Sequence, residues 1–277
     1  MHAPPHLIRR ILSAALLAHV AAGAQSQQRP QPLWEVGGVA LGVSQQAYPG
    51  SDRQLQRGLA VPYVIYRGRF LRADSEGVGI RPIRTPTFEL DVSAAAAFGS
   101  RASEDPARAG MPDLGTLVEF GPRVKWNLAG TPETGRWRID LPLRGVFDLD
   151  ERLDYRGAVF QPALVWHRRN AGWNLTFAGS LLFADRRLAA TFFEVAPAYA
   201  TAARPAYEAR AGLLATRLSA SVSRELTRDW SVFGFARVES VAGAANRTSP
   251  LVRQTTGATV GVGVAYTWWR SARPAAD

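Results

Sequence analysis

The chain has 277 residues, is 47% hydrophobic and 20% charged, and carries a formal charge of +10 at neutral pH. It has no cysteine, which excludes disulfides and thiolate chemistry, and no run of about 18 apolar residues, which excludes a transmembrane helix but not a barrel. The basic excess is nearly all arginine, Lys125 being the single lysine; this is a compositional bias more than a nucleic-acid footprint, and no nucleic-acid partner is expected.

The N-terminus reads as a secretory signal peptide over residues 1–24. Arg9 and Arg10 precede the apolar stretch Ile11–Ala22, and Ala22-Gly23-Ala24 is a small-x-small cleavage site. No cysteine follows, so a lipobox is excluded, and the mature chain is expected to begin near Gln25. Residues 25–33 are polar and rich in proline and form a flexible leader.

From Trp34 to Trp269 the chain alternates with period two, interrupted by Gly, Pro, Asp and Asn turns. Residues 34–43 open the series with weak facing, because Gly and Ala dominate. A polar loop, 44–57, leads to a second strand at 58–66 and a turn at Arg67-Gly68. Segment 69–83 is broken at residues 74–77. In 87–98, Phe88, Leu90, Val92 and Phe98 alternate with Glu89, Asp91 and Ser93. Loop 99–114 is rich in charge, Gly and Pro. Strand 115–128 sets Val118, Phe120, Val124 and Trp126 against Glu119, Arg123 and Lys125. In 136–148, Trp137, Ile139, Leu141, Leu143 and Phe147 alternate with Arg138, Asp140 and Arg144. Strands at 155–167 and 173–183 follow, then a shorter one at 188–195, loop 196–209, and strands at 210–226 and 230–241. After loop 242–254 comes the clearest stretch, 255–269. There Ala258, Val260, Val262, Val264, Tyr266 and Trp268 form one face and small or polar residues the other.

These patterns predict an all-β fold, a transmembrane antiparallel up-and-down β-barrel of about twelve strands, or ten if 69–83 is not a full crossing. One barrel domain, 34–269, and a C-terminal tail, 270–277, complete the chain. A soluble barrel would turn its apolar face inward. Three features favour the inverted form: the strand number, a second face carrying charges of both signs, and aromatics at strand ends. The aromatic girdle is read as Trp137, Trp173 and Trp230 near strand starts and Phe98, Phe147, Phe183 and Trp268 near strand ends. Long loops 196–209 and 242–254 then alternate with short turns 184–187 and 227–229. One feature conflicts: strict alternation from a periplasmic N-terminus puts loop 99–114 on the short-turn side, so a strand is miscounted or the loop is a periplasmic or plugging feature.

The face opposite the apolar one should line the lumen with Glu89, Asp91, Glu119, Arg123, Lys125, Arg138, Asp140, Arg144, Arg217, Arg237 and Glu239. Mixed charges there read first as ion pairs filling the barrel, second as the lining of a narrow pore. Acid–base chemistry is the weakest reading, because each carboxylate has cationic neighbours that keep it ionised. Beyond the signal peptide there is one histidine, His167, so no His/Cys metal site can be assembled and no cofactor is implied. A hydrolase would need a serine beside it, and none lies in local motif spacing; Ser180 or Ser219 would have to reach it from another strand.

Four short motifs occur in order: Tyr48-Pro49-Gly50-Ser51, Pro62-Tyr63 before Tyr66-Arg67-Gly68, Glu119-Phe120-Gly121-Pro122, and Ser249-Pro250-Leu251-Val252. Together with the signal peptide and length they resemble the MltA-interacting protein (MipA)/OmpV family, over about 34–269. The resemblance implies a Gram-negative outer-membrane barrel without enzymatic activity. It also implies a scaffold role for a periplasmic murein hydrolase and a murein synthase. Outer-membrane lipid and lipopolysaccharide are the surroundings such a protein meets. A departure is that eight residues follow Trp269, where such barrels usually end on an aromatic residue. By topology, Tyr48, Pro49, Gly50, Ser51, Ser249, Pro250, Leu251 and Val252 are candidates for an external rim and recognition site. A diffusion channel for small solutes is the alternative function.

Overall fold

A computed structural model describes residues 32–67, 71–74, 77–80, 83–85, 87–97 and 99–275. The signal-peptide expectation, most of the leader, and Phe98 of the expected girdle lie outside these residues. Among them run β1 (Trp34–Gln46), β2 (Gln54–Arg67), β3 (Leu71–Asp74), β4 (Gly77–Ile80), β5 (Ile83–Arg84), β6 (Phe88–Ala97) and β7 (Leu117–Ala129). There follow β8 (Arg136–Asp148), β9 (Asp154–Phe160), β10 (Ala163–Asn170), β11 (Trp173–Ala184), a helix α1 (Arg186–Phe193), β12 (Gly212–Glu225), β13 (Trp230–Ser240) and β14 (Thr256–Arg270).

All pairings are antiparallel, in one sheet ordered β4-β3-β2-β1-β14-β13-β12-β11-β10-β8-β7-β6-β5, with β9 bridging β8 and β11. The first and last strands pair over most of their length, from Glu35↔Arg270 to Ser44↔Val260. The two ends of the path meet again where β4 lies beside β6. The protein is thus a transmembrane antiparallel β-barrel. Strands β9 and β10 are one crossing, interrupted at Gln161-Pro162 because proline has no N–H to give the ladder. The chain ends close the seam: Ser271 N–H donates to Trp34 O at 2.9 Å and Leu33 N–H to Arg273 O at 2.8 Å.

The burial of alternate residues decides which face is outside. Val262 is 70% exposed, Leu218 64% and Phe120 54%, whereas Lys125 is 3% and Asp91 5%. Charges point in and large apolar side chains point out, the reverse of a soluble barrel, as a hydrocarbon surround requires. All eight tryptophans lie at one end of the strands. Phe147, Tyr155, Phe160 and Phe183 lie at the other. Trp137 to Phe147 and Trp173 to Phe183 each rise ten residues. At about 3.3 Å per residue and a tilt of about 40° that is about 25 Å, the height of an outer-membrane apolar band. In β1 and β2 the facing that the sequence left undetermined is reversed. Val39, Leu41, Val61, Tyr63 and Ile65 pack inward with Phe233 and Ala265, leaving Gly42, Gly58 and Ala60 on the outside.

The register also settles the loops. Ala97↔Leu117, Leu117↔Asp148, Asp148↔Asp154, Ala184↔Gly212, Ser240↔Thr256 and Gln46↔Gln54 place 47–53, 99–116, 149–153, 185–211 and 241–255 at one end. Segments 130–135, 171–172 and 226–229 sit at the tryptophan end. The long-loop end is extracellular by the rule for such barrels. Two expectations are corrected. Segment 69–83 contains two strands, β3 and β4, and this extra reversal brings loop 99–114 to the long-loop end. Residues 188–195 are not a strand but mostly helix α1, so 184–187 is no short turn and 185–211 is one long excursion. Apolar residues at 188, 189, 192 and 193 follow a helical period, and Asp185 caps the helix by accepting Leu188 N–H at 2.8 Å. Eight residues are too few for that period to stand out from a strand.

The outward assignment carries a direct expectation. Val262→Arg, in the middle of β14, should destabilise the folded barrel by about 2–4 kcal/mol in bilayers. Denaturant titration of vesicle-inserted protein, read by gel mobility, checks it; an unchanged midpoint would mean that this face is not in lipid.

Candidate functional site

Eleven charged residues were expected on the lumen wall, and the register places all eleven on the inner face. One row of cross-strand partners runs round much of the barrel: Glu89↔Lys125↔Asp140↔Ala163↔Ser180↔Arg217↔Glu239. Its charges alternate in sign on either side of the uncharged Ala163 and Ser180, and Glu89–Lys125 and Arg217–Glu239 form ion pairs between neighbouring strands. Lys125 Nζ lies 3.1 Å from Glu89 Oε1 and 3.0 Å from Asp91 Oδ2. Arg123 grips Asp91 with both ends of its fork, Nε to Oδ1 at 2.9 Å and NH2 to Oδ2 at 2.6 Å. Arg138 Nε is 2.9 Å from Asp140 Oδ1, and Arg144 Nε is 3.0 Å from Glu119 Oε2. Arg217 donates to Glu239, and Arg237 NH2 reaches Thr259 Oγ1 at 3.4 Å. The wall is thus polar on β6–β8 and β12–β13 and apolar on β1 and β2.

Above this wall the long-loop end is covered. Helix α1 turns into the mouth, where Leu188, Ala189 and Phe193 pack on the inner side of Val146, Val159, Leu182 and Ala184. Gly157 is the seat for its first turn. Its φ is +124°, and a Cβ there would stand 2.3 Å from Asp185 Oδ1 and 2.6 Å from Leu188 N. A second cluster joins Tyr48, Leu55, Met111, Leu114, Val195 and Leu251, and Phe192 packs against both. Arg204 ties the excursion to loop 99–116 by donating to Ala107 O at 2.9 Å and Ala109 O at 3.0 Å.

The two loop motifs meet in this cap. Tyr48 Oη donates to Leu251 O at 2.9 Å, and Gly50 O accepts from Arg253 N–H and Gln254 N–H at 2.8 and 3.1 Å. Ser51 Oγ donates to Asp105 Oδ2 at 2.5 Å, and Ser249 Oγ to Phe193 O at 2.7 Å. Tyr48, Gly50, Ser51, Ser249 and Leu251 are buried, while Pro49, Pro250 and Val252 are half-buried. The motifs therefore lie under the cap's surface, where they fasten loops to one another. Burial, reinforced by Asp105, raises the Tyr48 phenol well above the usual tyrosine range, so it stays a donor. Arg108, 4% exposed, stacks over the Tyr48 ring at 5.6 Å, and burial lowers its pKa.

His167 also faces the lumen. Its Nδ1 lies 3.1 Å from Thr176 Oγ1, and its register partners are Arg136 and Thr176. Ser180 stands opposite Ala163, and Ser219 opposite Ala178 and Arg237, so neither serine is His167's partner. No group of three or more metal-ligating side chains is close enough to hold an ion among the described residues. Of the expected girdle, Trp137, Trp173, Trp230 and Trp268 share the tryptophan end, and Phe147 and Phe183 the long-loop end. The cap was not expected from the sequence; its local trace, helical spacing at 188–193 after Asp185, is too short to stand out from a strand.

Two substitutions separate lumen from cap. Lys125→Met removes the buried cation that faces both Glu89 and Asp91 and should cost about 3 kcal/mol. Tyr48→Phe leaves the Leu251 carbonyl unpaired and should cost about 1–2 kcal/mol. Limited proteolysis of folded protein distinguishes them: Tyr48→Phe should speed cleavage within 185–211, and Lys125→Met should not.

A family model described as MipA, MltA-interacting protein MipA, matches residues 37–268. No curated protein matches the sequence. Among solved structures, Pseudomonas putida OprB is similar with TM-score 0.34 and 7% identity, over 85% of this chain and 94% of that one. Outer membrane phospholipase A from Escherichia coli follows with TM-score 0.29 and 11% identity, over 93% and 96%. A Pseudomonas aeruginosa FadL homologue has TM-score 0.26 and 9% identity, over 94% and 98%.

Proposed function

The chain belongs to the MipA family of outer-membrane proteins, and from that premise we propose that it is a non-enzymatic scaffold of the cell envelope. In this reading the barrel anchors a periplasmic assembly that includes a murein hydrolase, a murein synthase or both. Residues 1–24 serve as the cleaved export signal. The family's name supports the choice of partner. The observation that carries the non-transport reading is the cap: apolar loops and α1 packed across the mouth above an ion-paired wall. A closed mouth with satisfied charges suits an anchor better than a conduit. The register of His167 supports the absence of serine-dependent hydrolysis.

A second reading, a diffusion channel for small solutes, is favoured by the charged lumen and by Arg237, which reaches Thr259 Oγ1 at 3.4 Å. Single-channel recording of refolded protein in a planar bilayer separates the two. A silent bilayer, with folding confirmed by heat-modifiable gel mobility, is expected of the scaffold. Reproducible steps whose ion selectivity changes with Arg138→Gln or Arg144→Gln would make it a pore.

A further inference from the structure

At the tryptophan end, on the lipid-facing side of β10, β11 and β12, two arginines flank one tryptophan. Arg168, Trp173 and Arg224 share the outward phase of Leu164, Phe177 and Leu218, each of which is at least 47% exposed. Trp173 and Arg224 are direct cross-strand partners, and the Arg224 guanidinium carbon lies 4.9 Å from the Trp173 ring centroid. Arg168 stands on the other side of β11, opposite Leu175. Its Nε is sealed from solvent and has no hydrogen-bond partner. The two arginines are two strands apart, about 10 Å between backbones.

On the same rim Arg270 meets a carboxylate, Asp229, at 2.8 Å. Arg168 and Arg224 form no ion pair among the described residues. The outward positions of β10, β11 and β12 contain no Asp or Glu. This level is one end of the apolar band, where lipid phosphates sit. A guanidinium fork matches a phosphate's oxygens, and an interfacial indole holds the depth. Leu175, Phe177, Leu218 and Val222 continue from the trio toward the membrane centre and offer a path for acyl chains.

We propose that Arg168, Trp173 and Arg224 form a binding site for the phosphate headgroup of an anionic glycerophospholipid in the periplasmic leaflet. The test uses the refolded full barrel in vesicles of equimolar phosphatidylglycerol and phosphatidylcholine, extracted into mild detergent, with retained lipids identified by native mass spectrometry. Wild type should retain phosphatidylglycerol in preference by about tenfold, and Arg168→Gln with Arg224→Gln should abolish that preference. Arg224→Lys, which keeps the charge but not the fork, should retain part of it. Arg186→Gln at the long-loop end should change nothing. Equal retention of the two lipids by wild type would overturn the proposal, as would an unchanged preference in a double variant that folds by gel mobility. Loss of the preference in millimolar inorganic phosphate would assign the site to free anions and overturn the lipid.

Discussion

In hydrocarbon, a backbone N–H or C=O without a partner has no water to fall back on, so a sheet can sit there only if it closes. The pairing of β1 with β14 is therefore the contact on which the fold depends. It also fixes phase. With Ser44 opposite Val260 and Leu41 opposite Gly263, the side chains of the last strand cannot exchange faces without exchanging those of the first. Once the phase is set, the environment sorts the residues: valines and leucines to lipid, carboxylates and guanidinia inward. The inner face then has to neutralise itself. The row from Glu89 to Glu239 does so by alternating sign across strands.

The alternation was legible wherever one face was uniformly apolar and the other charged, as in β8 and β14. It was illegible in β1 and β2, where Gly and Ala fill one face and period two carries no hydrophobic contrast. There, in the middle of the strands, Val39, Leu41, Val61 and Tyr63 face the lumen and Ala40, Gly42, Gly58 and Ala60 face lipid. The charged lumen was legible for the same reason as β8: charge at every second position has no place in hydrocarbon. The cap was not legible. Its core is assembled from four loops, and contacts such as Tyr48 with Leu251 join residues two hundred positions apart. Loop motifs rich in Tyr, Pro, Gly and Ser suggest exposed turns when read locally. Only the fold shows that the Tyr48 and Ser249 hydroxyls donate to carbonyls, and Ser51 to the Asp105 carboxylate, within a shared core.

Parity is the most economical lesson of the chain. A helix taken for a strand and a double strand taken for a single one leave the total unchanged. Yet each reverses the direction of everything between them. The misplaced loop 99–114 was the visible symptom, since a long loop on the short-turn side contradicts the geometry of export barrels. Splitting 69–83 and turning 188–195 into α1 restores the rule with no other change.

Cap and lumen also impose different demands. The wall holds buried charges by pairing them, Lys125 between Glu89 and Asp91 and Arg123 on Asp91. The mouth buries Phe193 and Leu251 completely and Tyr48 nearly so, which takes close packing and hydrogen bonds to otherwise orphaned carbonyls. A conduit would invert this, with a wet mouth and a narrow waist. Here close packing is concentrated at the entrance, and short connections lie at the opposite rim. That rim is made of short turns held by strand ends and tryptophans, a rigid platform at the periplasmic boundary. Arg168 and Arg224 stand on its lipid-facing side without a carboxylate partner among the described residues, the place where a guanidinium meets the phosphates of the lipid itself.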